Sequence, residues 1–448
     1  MSARTTAPSW PLVALFTAGY LAPYLLPTTV GRLDAALPLS ATQAGAVGSL
    51  LLLSSAAAGF SLASRIHRLG ARRLARAGLL LAVLGYGTAA LSSDVPVVIA
   101  GALVGGLGSG TATTVAAAGT AARRDPHRTT TLGLLSVSAL AAAVYLTVPH
   151  LGPGHGLPLA AVALTAALVW PATAHLPTGS GEAAPTAHRP ASTPVPPLPY
   201  RRPGLVLAAA MLCWSLAQNS LWGVSSHIGT RQAGLGEATV GVVFAAALGA
   251  GLLGVLCAGA LGPRIGRALP VGAGTALIAV CIVVSAGADG LTSFAVGEIA
   301  WNALYPVVLS YLISLAASLD PHGRWAVLAG SASSLGTACG PLAGSLLSAA
   351  AGYPAMGWVL ATVLLLLAVP LAAVAVRTTG GPVLRGPEPV LRGGPAEQPA
   401  HQPVQQPAQH PMEQPVVEIT VDHPQPAQQE FDTAGPQNSG TSPSAPAP

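Results

Sequence analysis

The sequence has no lysine and few charged residues of any kind. Charged residues make up 8% of its 448 positions, hydrophobic residues make up 51%, and the mean hydropathy is +0.59. A soluble domain usually carries about 25% charged residues. Because so apolar a chain cannot hide its surface in a core of its own, we expect it to lie in a lipid bilayer. Its arginines fall mostly in short loops, so we expect no nucleic-acid partner.

Cysteine is scarce, and the motifs of common enzymes are missing. The four cysteines all lie in apolar segments without a CxxC spacing, and we interpret them as small buried hydrophobic side chains. The sequence contains no HExxH, no GxSxG and no Gly-Lys phosphate loop. It therefore predicts no enzyme activity, no metal and no cofactor. The lack of a Walker motif also excludes an ATP-driven pump within this chain.

What the chain does have is twelve long apolar segments. Each is close to the roughly 20 residues that cross a bilayer as a helix. The first is too long for the apolar part of a signal peptide and is followed at once by further segments, so we interpret it as a retained helix. The predicted spans are residues 10–30, 41–64, 74–91, 95–117, 130–150, 157–175, 204–227, 238–261, 270–288, 291–315, 325–350 and 353–376.

The arginines alternate between the loops in the way that twelve spans require. With the N-terminus in the cytoplasm, eighteen of the twenty arginines fall in cytoplasmic loops and termini, and only Arg32 and Arg231 fall outside. Cytoplasmic loops of membrane proteins carry such an excess. A wrong number of spans would disturb the alternation. The sequence therefore predicts twelve spans in a cell membrane, with both termini in the cytoplasm.

The stretches between the spans divide the chain into two halves, 1–176 and 204–376. Residues 177–203 between them are rich in Pro, Thr and Ala, and we interpret them as a cytoplasmic linker. Residues 377–448 are rich in Pro, Gln and Gly and have too little apolar area to fold, so we expect a disordered tail. The tail is either passive or a docking segment.

A short basic loop occurs once in each half. The two copies lie 196 positions apart, and other short matches share nearly the same spacing, including Asp125-Pro126-His127 with Asp320-Pro321-His322 at 195. Several matches in register favour duplication of a six-span unit. We therefore predict an all-α membrane protein of two six-helix bundles related by a pseudo-two-fold axis. The loop residues are His67, Arg68, Gly70, Arg72 and Arg73 in the first copy and Arg264, Gly266 and Arg267 in the second.

These features resemble the major facilitator superfamily, particularly its drug-efflux-like branch. Members carry a motif of the form Gly-x-Leu-x-Asp-Arg-x-Gly-x-Arg-Arg between helices two and three and a weaker copy between helices eight and nine. The resemblance implies that these loops help to gate conformational change. The acid of the motif falls on His67 and Pro263 here, which places the family's charge network in doubt. His67 is either a titrating substitute or a solvated loop residue.

A second family pattern, Gly-x-x-x-Gly-Pro, is displaced. It is missing from span five, where antiporters of the family carry it, and occurs in span eleven, the counterpart of span five in the repeat. Glycine and proline there permit close packing and a kink between the halves, so we expect a packing role. The residues are Gly336, Gly340, Pro341 and Gly344.

Family members line a central cavity with helices one, four, seven and ten, and polar and aromatic residues share faces of the corresponding spans here. They either line the cavity or pack helices, and those near a membrane end could belong to an interfacial aromatic belt. The candidates are Tyr20 and Tyr24 in span one, Thr113 in span four, Trp214, Gln218, Asn219 and Trp222 in span seven, and Trp301, Asn302 and Tyr305 in span ten.

Glu298 is the one acid before the tail that lies well within a span. A carboxylate in hydrocarbon costs several kcal/mol unless it is paired, protonated or in contact with water. Glu298 is therefore the candidate for proton coupling. The alternative is a structural, protonated glutamate that bonds to Asn302 or to a backbone carbonyl.

The function that these features predict is secondary transport of a small amphipathic organic compound. The resemblance implies alternating access by a monomer, and Glu298 favours proton-coupled efflux. With no Arg or Lys inside the spans, neutral or cationic substrates are expected rather than anions. An uncoupled facilitator, an importer of a neutral solute, and a membrane sensor or scaffold acting through the tail remain as alternatives.

Overall fold

The computed structural model describes residues 9–123, 125–176, 198–320 and 322–379, apart from the side chains of His67, Pro263, Arg264, Thr378 and Thr379. These residues are helical almost throughout and contain no strand. Most of the predicted linker and most of the predicted tail lie outside the described residues, but residues 377–379, predicted to begin the tail, are helical and end α13. The helices are α1 Trp10–Tyr24, α2 Leu26–Ala36, α3 Ala41–Leu62, α4 Ile66–Leu69, α5 Ala71–Leu91, α6 Val95–Ala121, α7 Pro126–Thr147, α8 Gly156–Val169, α9 Arg201–His227, α10 Glu237–Leu261, α11 Ala268–Ala286, α12 Leu291–Ser318 and α13 Arg324–Thr379.

Short turns of other helix types extend several of these elements. A 3₁₀ turn, Val148–His150, follows α7, and another, Trp170–His175, follows α8. A π-helical turn, Ile228–Gln232, continues α9. Helix α9 begins at Arg201 rather than at the predicted residue 204. Its start is fixed because the indole Nε1 of Trp325 donates to the carbonyl of Pro199 over 2.7 Å.

The membrane-spanning helices agree closely with the predicted spans. Among the described residues, ten helices are long and apolar enough to cross a bilayer, or eleven if α1 and α2, which meet at 48°, form one bent span. Proline within α1, at position 23, and the break at Leu25 account for that bend. Arg32, predicted in an outer loop, lies instead in α2 with its side chain buried.

Helix α13 reverses direction at Gly352, which has φ 81° and ψ 165°. Before it, Gly336 and Gly344 pack against Leu212 and Ser220, so this segment runs alongside α9. After it, Gly357 packs against Ala286, and Ala372 contacts Gly272 near the start of α11. The second segment therefore returns along α11. If α1 and α2 form one span and α13 is counted as two, the total is the predicted twelve. The number of spans stays a prediction.

The two halves, α1–α8 and α9–α13, touch near one end of the bundle. We call it the outer end; it carries residues 37–40, 151–155 and 233–236, which the arginine pattern places outside. There the backbone N–H of Leu342 donates to the Ser49 hydroxyl over 2.9 Å, and the rings of Tyr145 and Phe244 lie 5.1 Å apart. These contacts join α3 to α13 and α7 to α10.

One helix in each half begins next to an aspartate that accepts backbone N–H groups. The carboxylate of Asp125 accepts from the backbone N–H of Arg128 over 2.9 Å and caps α7. In the second half, Asp320 accepts from the backbone N–H groups of His322 and Arg324 over 3.2 Å at the start of α13. The aspartate of each Asp-Pro-His sequence therefore accepts backbone N–H groups at or just before a helix start, and Asp125 is the N-cap of its helix.

Candidate functional site

Glu298 is fully buried where α9, α11 and α12 meet. Its Oε1 lies 2.8 Å from the Ser225 hydroxyl of α9 and 2.6 Å from the Ser285 hydroxyl of α11. Its Oε2 has no hydrogen-bond partner among the described residues. The approach of α11 depends on Gly297, because a side chain there would meet Ser285 at 2.7 Å. The acid therefore sits in a three-helix contact that offers two hydroxyls to one of its oxygens.

The two serines were not predicted, and Asn302 does not take the predicted place. The amide of Asn302 donates over 3.0 Å to the backbone carbonyl of Glu298, not to its carboxyl group. Ser225 and Ser285 lie 73 and 13 residues away from Glu298 in the sequence. Serine is an ordinary residue of packed membrane helices. In the sequence, the only sign of a polar partner on another helix was the isolated acid itself, Glu298.

An aromatic cluster lies on the same faces of α9 and α12. The rings of Trp214 and Tyr305 stack at 5.2 Å, those of Trp222 and Trp301 lie 5.7 Å apart, and Trp301 is 5.9 Å from Tyr305. The Trp301 indole N–H donates to Oε1 of Gln218. The Trp214 indole N–H and the Gln218 amide nitrogen are buried without partners among the described residues. The cluster thus combines aromatic surface with hydrogen-bond donors that have no partner among the described residues.

The candidates of the first half reach this cluster only in part. The indole N–H of Trp222 donates over 3.2 Å to the carbonyl of Pro23 in α1, next to Tyr24. Tyr20 and Tyr24 are half-buried and pack against the core of the bundle. Thr113 bonds over 2.9 Å to its own helix at Ser109 and packs tightly on α1.

Asn219 faces a different neighbour from the rest of the set. Its amide donates to the carbonyl of Ser215 over 2.9 Å and to the Thr337 hydroxyl over 3.2 Å. That side of α9 packs against the glycine and proline pattern of α13. A side chain at Gly340 would meet Asn219 at 2.5 Å, and Pro341 also lies against Gly223.

Pro341 reaches the other half as well. It contacts Gly48 of α3, and its carbonyl would lie 2.8 Å from a side chain at Gly45. The pattern of α13 therefore packs α9 on one side and α3 on the other.

Each basic loop contains a glycine next to a helix: Gly70 lies between α4 and α5, and Gly266 precedes α11. Gly70 (φ 84°) and Gly266 (φ 67°) adopt positive φ angles, which glycine alone adopts readily. Arg68 and Arg73 are exposed, whereas Arg72 and Arg267 are half-buried. The side chains of His67 and Arg264 lie outside the described part of the chain. For Arg267, burial lowers the pKa of the guanidinium.

Two sets of charged residues join the halves at the outer end. Nε of Arg32 in α2 donates to Oε1 of Glu237 in α10 over 2.5 Å. Asp34 in α2 lies 3.0 Å from Nε2 of His227 in α9 and also accepts from the Arg231 guanidinium. We call these five residues the outer charge cluster. Each contact crosses from the first half to the second, and sequence reasoning did not identify the cluster.

Two further observations concern the described part of the chain. It contains no group of three or more His, Cys, Asp or Glu side chains that could hold a metal. The cysteines are free, but the prediction that all are buried was wrong: Cys257 and Cys339 are exposed on the surface of the bundle. In a membrane helix such positions can face lipid, which solvates an apolar thiol as well as a core does.

Comparison with known proteins agrees with this architecture. The structure resembles that of the human organic anion transporter MFSD10 (TETRAN) with a TM-score of 0.56, covering 81% of this chain and 99% of that one. At 18% identity, this likeness concerns the fold alone. No curated protein sequence matches significantly. Residues 9–324, more than half of the chain, match the family described as the Major Facilitator Superfamily. The chain belongs to the Major Facilitator Superfamily, whose members are membrane transporters.

Proposed function

We propose that the protein exports a small amphipathic organic compound in exchange for protons, as a monomer in the plasma membrane with both termini in the cytoplasm. Glu298 carries this proposal. It is a fully buried acid with one oxygen between two hydroxyls and the other oxygen without a described partner. No cation lies against it in the described residues, so burying the charged form is costly and binding a proton relieves the cost.

The aromatic cluster supports a neutral or cationic amphipathic substrate. Stacked indole and phenol rings bind flat apolar groups and attract cations through their π faces. MFSD10 is described as an organic anion transporter, and an anion would need a free cation near the cluster. The one arginine buried among the described side chains, Arg32, donates to Glu237 and to the carbonyls of Val148, Gly152 and Gly154 instead.

The contacts between the halves support alternating access. The described contacts that join α2 to α9, α3 to α13 and α7 to α10 lie toward the outer end, where the outer charge cluster also bridges the halves. We interpret this arrangement as the inward-facing state. Export then requires that the outer contacts separate when substrate leaves and a proton binds.

Purified protein in liposomes, with ethidium and a panel of neutral and cationic dyes as probes, tests the proposal. An imposed pH gradient should accelerate transport of at least one dye by the wild type. Glu298→Gln, which keeps the shape of the side chain, should abolish the acceleration and leave slow exchange. Asp289→Asn, which changes an exposed acid beside the start of α12, is the control and should behave as the wild type.

The outcomes separate the alternatives. Equal transport with and without the gradient would favour an uncoupled facilitator, and acceleration by the opposite gradient would favour import. If no dye moves, and removal of residues 380–448 affects cells in the same way as deletion of the whole protein, a sensor or scaffold is favoured. Full gradient dependence in Glu298→Gln would contradict the proposed role of the acid.

A further inference from the structure

Ser225 lies between two hydrogen-bond acceptors, of which it can satisfy only one. Its Oγ is 2.8 Å from Oε1 of Glu298 and 3.0 Å from the backbone carbonyl of Leu221, one turn earlier in α9. A serine hydroxyl has a single proton to donate. Because both contacts have hydrogen-bond lengths and Ser225 is fully buried, the second contact needs a proton from elsewhere whenever both are made.

The charge of Glu298 decides how the protons are arranged. When Glu298 is ionised, Ser225 and Ser285 both donate to Oε1. When a proton from water binds to Oε1, the new O–H can donate to Ser225, and the Ser225 hydroxyl turns to the carbonyl of Leu221. A proton on Oε2 would have no described acceptor. Oε1 is therefore the oxygen on which a proton is best bonded.

We infer that Ser225 is a positioning residue for the proton-binding step, because the direction of its hydrogen bond with Glu298 reverses when the acid takes up a proton. The inference rests on the proposed role of Glu298. It adds that Ser225 is the residue of α9 whose hydrogen bonds change with the charge of Glu298. Ser285 has no second described acceptor, so it donates to Oε1 in both states. Ser225 alone exchanges one partner for another.

The part of α9 that follows Ser225 forms the outer contact between the halves. Ser226 packs on Gly31 of α2, and His227 faces Asp34. The π-helical turn Ile228–Gln232 comes next and carries Arg231 to Asp34. Turns of this type are often found at functional sites. A single helix thus contacts the acid on one side and the outer charge cluster on the other, so a change at Ser225 acts on the segment that must move for release.

Other titratable groups near Glu298 must be separated from it in any measurement. Tyr145 of α7 and Cys281 of α11 interact electrostatically with the acid. Tyrosine and cysteine ordinarily titrate above about pH 8 and stay neutral under physiological conditions. Histidine ordinarily titrates near pH 6.5, and His227 lies beside Asp34 and Arg231. The readout therefore has to report a carboxyl group specifically.

Infrared pH titration of the protein in liposomes meets that requirement, because the C=O stretch of a protonated carboxyl group is distinct. The wild type should show a buried carboxyl band that Glu298→Gln removes. Ser225→Ala should raise the pH midpoint of this band by about one pH unit, because the hydroxyl bonds more strongly to the charged carboxylate than to the protonated acid. Ser225→Thr, which keeps the hydroxyl, should restore the wild-type midpoint.

The chain provides a matched control on the same helix. Ser220 is fully buried, and its hydroxyl donates over 2.8 Å to the carbonyl of Leu216 without a neighbouring acid. Ser220→Ala should leave the midpoint unchanged. Hydrogen exchange of residues 226–232, measured at one pH, tests whether the charge of Glu298 acts on this part of α9 through Ser225. Glu298→Gln should change the protection of this segment when Ser225 is present and leave it unchanged in the Ser225→Ala background.

The inference is overturned if Ser225→Ala and Ser220→Ala have the same midpoint, or if the exchange response to Glu298→Gln survives without Ser225. A carboxyl band that persists in Glu298→Gln would instead contradict the proposed proton role of Glu298 itself. If Ser225→Ala fails to fold, as judged by its melting in detergent, the comparison of Ser225→Thr with Ser225→Val decides. Equal midpoints for those two variants would exclude a role for the hydroxyl.

Discussion

Arg32 in the first half and Glu237 in the second are joined over 2.5 Å, and the guanidinium of Arg32 also holds the loop that follows α7. Its Nη atoms donate to the carbonyls of Val148, Gly152 and Gly154 over 2.8 to 3.1 Å. One buried side chain therefore fixes a loop of its own half and the start of α10 in the other half. In this respect Arg32 is a structural residue of the outer end, and the three carbonyls depend on it.

Removing the guanidinium should destabilise the protein strongly. We expect Arg32→Leu to lower stability by about 3 kcal/mol, because it leaves the Glu237 carboxylate and the buried carbonyl of Val148 without their donor. Glu237→Gln should cost about 1 kcal/mol, since the Glu237 side chain is 38% exposed and water can replace the partner. Thermal melting in detergent measures both effects. Arg68→Leu, at an exposed arginine, is the control. A loss for Arg32→Leu no larger than for Arg68→Leu would contradict the assignment.

The close contact of α13 with α9 makes a second, steric prediction. A side chain at Gly336 would lie 2.1 Å from the carbonyl of Leu212, whereas nothing lies within 4 Å of one at Gly330 on the same helix. Gly336→Val should therefore cost about 3 kcal/mol or more, or prevent folding, because backbone must shift to relieve the overlap. Gly330→Val should be tolerated. Yield and monodispersity after detergent extraction are the measurements, and equal behaviour of the two variants would exclude the contact.

Asp320 should make stability depend on pH. The Arg324 side chain, and next the backbone N–H groups of His322 and Arg324, hold the pKa of the Asp320 carboxyl well below its usual range. A depressed folded-state pKa stabilises the protein above the unfolded value of about 3.9, and this contribution is lost as the pH falls toward the folded value. Asp320→Asn should therefore melt lower than the wild type at pH 7.

The difference between the two proteins should shrink as the pH is lowered below about 4, where the wild-type carboxyl begins to lose its advantage. Melting curves between pH 3 and 7 measure it. Asp94→Asn is the control, because Asp94 precedes α6 without a side-chain cap. A constant gap over this range would show that Asp320 acts through shape rather than charge.

The sequence predicted the architecture because the bilayer imposes simple rules on it. Segment length and the placement of arginine depend only on local composition, so spans such as residues 41–64 and 95–117 correspond to α3 and α6. Glu298 could also be singled out, since an isolated acid in an apolar span is unusual. The spans and the acid were therefore accessible without a structure.

The partners of these residues were not accessible, because they come from distant parts of the chain. Ser225 and Ser285 approach Glu298 only once three helices pack, and serine alone gives no signal. Arg32 was placed in a loop by its charge, yet it is buried, since four acceptors satisfy its N–H groups. Asn219 shares a helix with the aromatic cluster but faces α13, because it lies about 100° around α9 from Gln218.

At the reversal in α13, Gly352 departs from helical geometry, and helical residues lie on both sides of it. A φ of 81° with a ψ of 165° is open to glycine and strained for every other residue. The connection between the two arms is therefore very short, and short connections offer few sites for insertion or proteolysis. A Cβ at this one residue would strain the turn, so the side-by-side placement of the two arms depends on a hydrogen in place of a side chain.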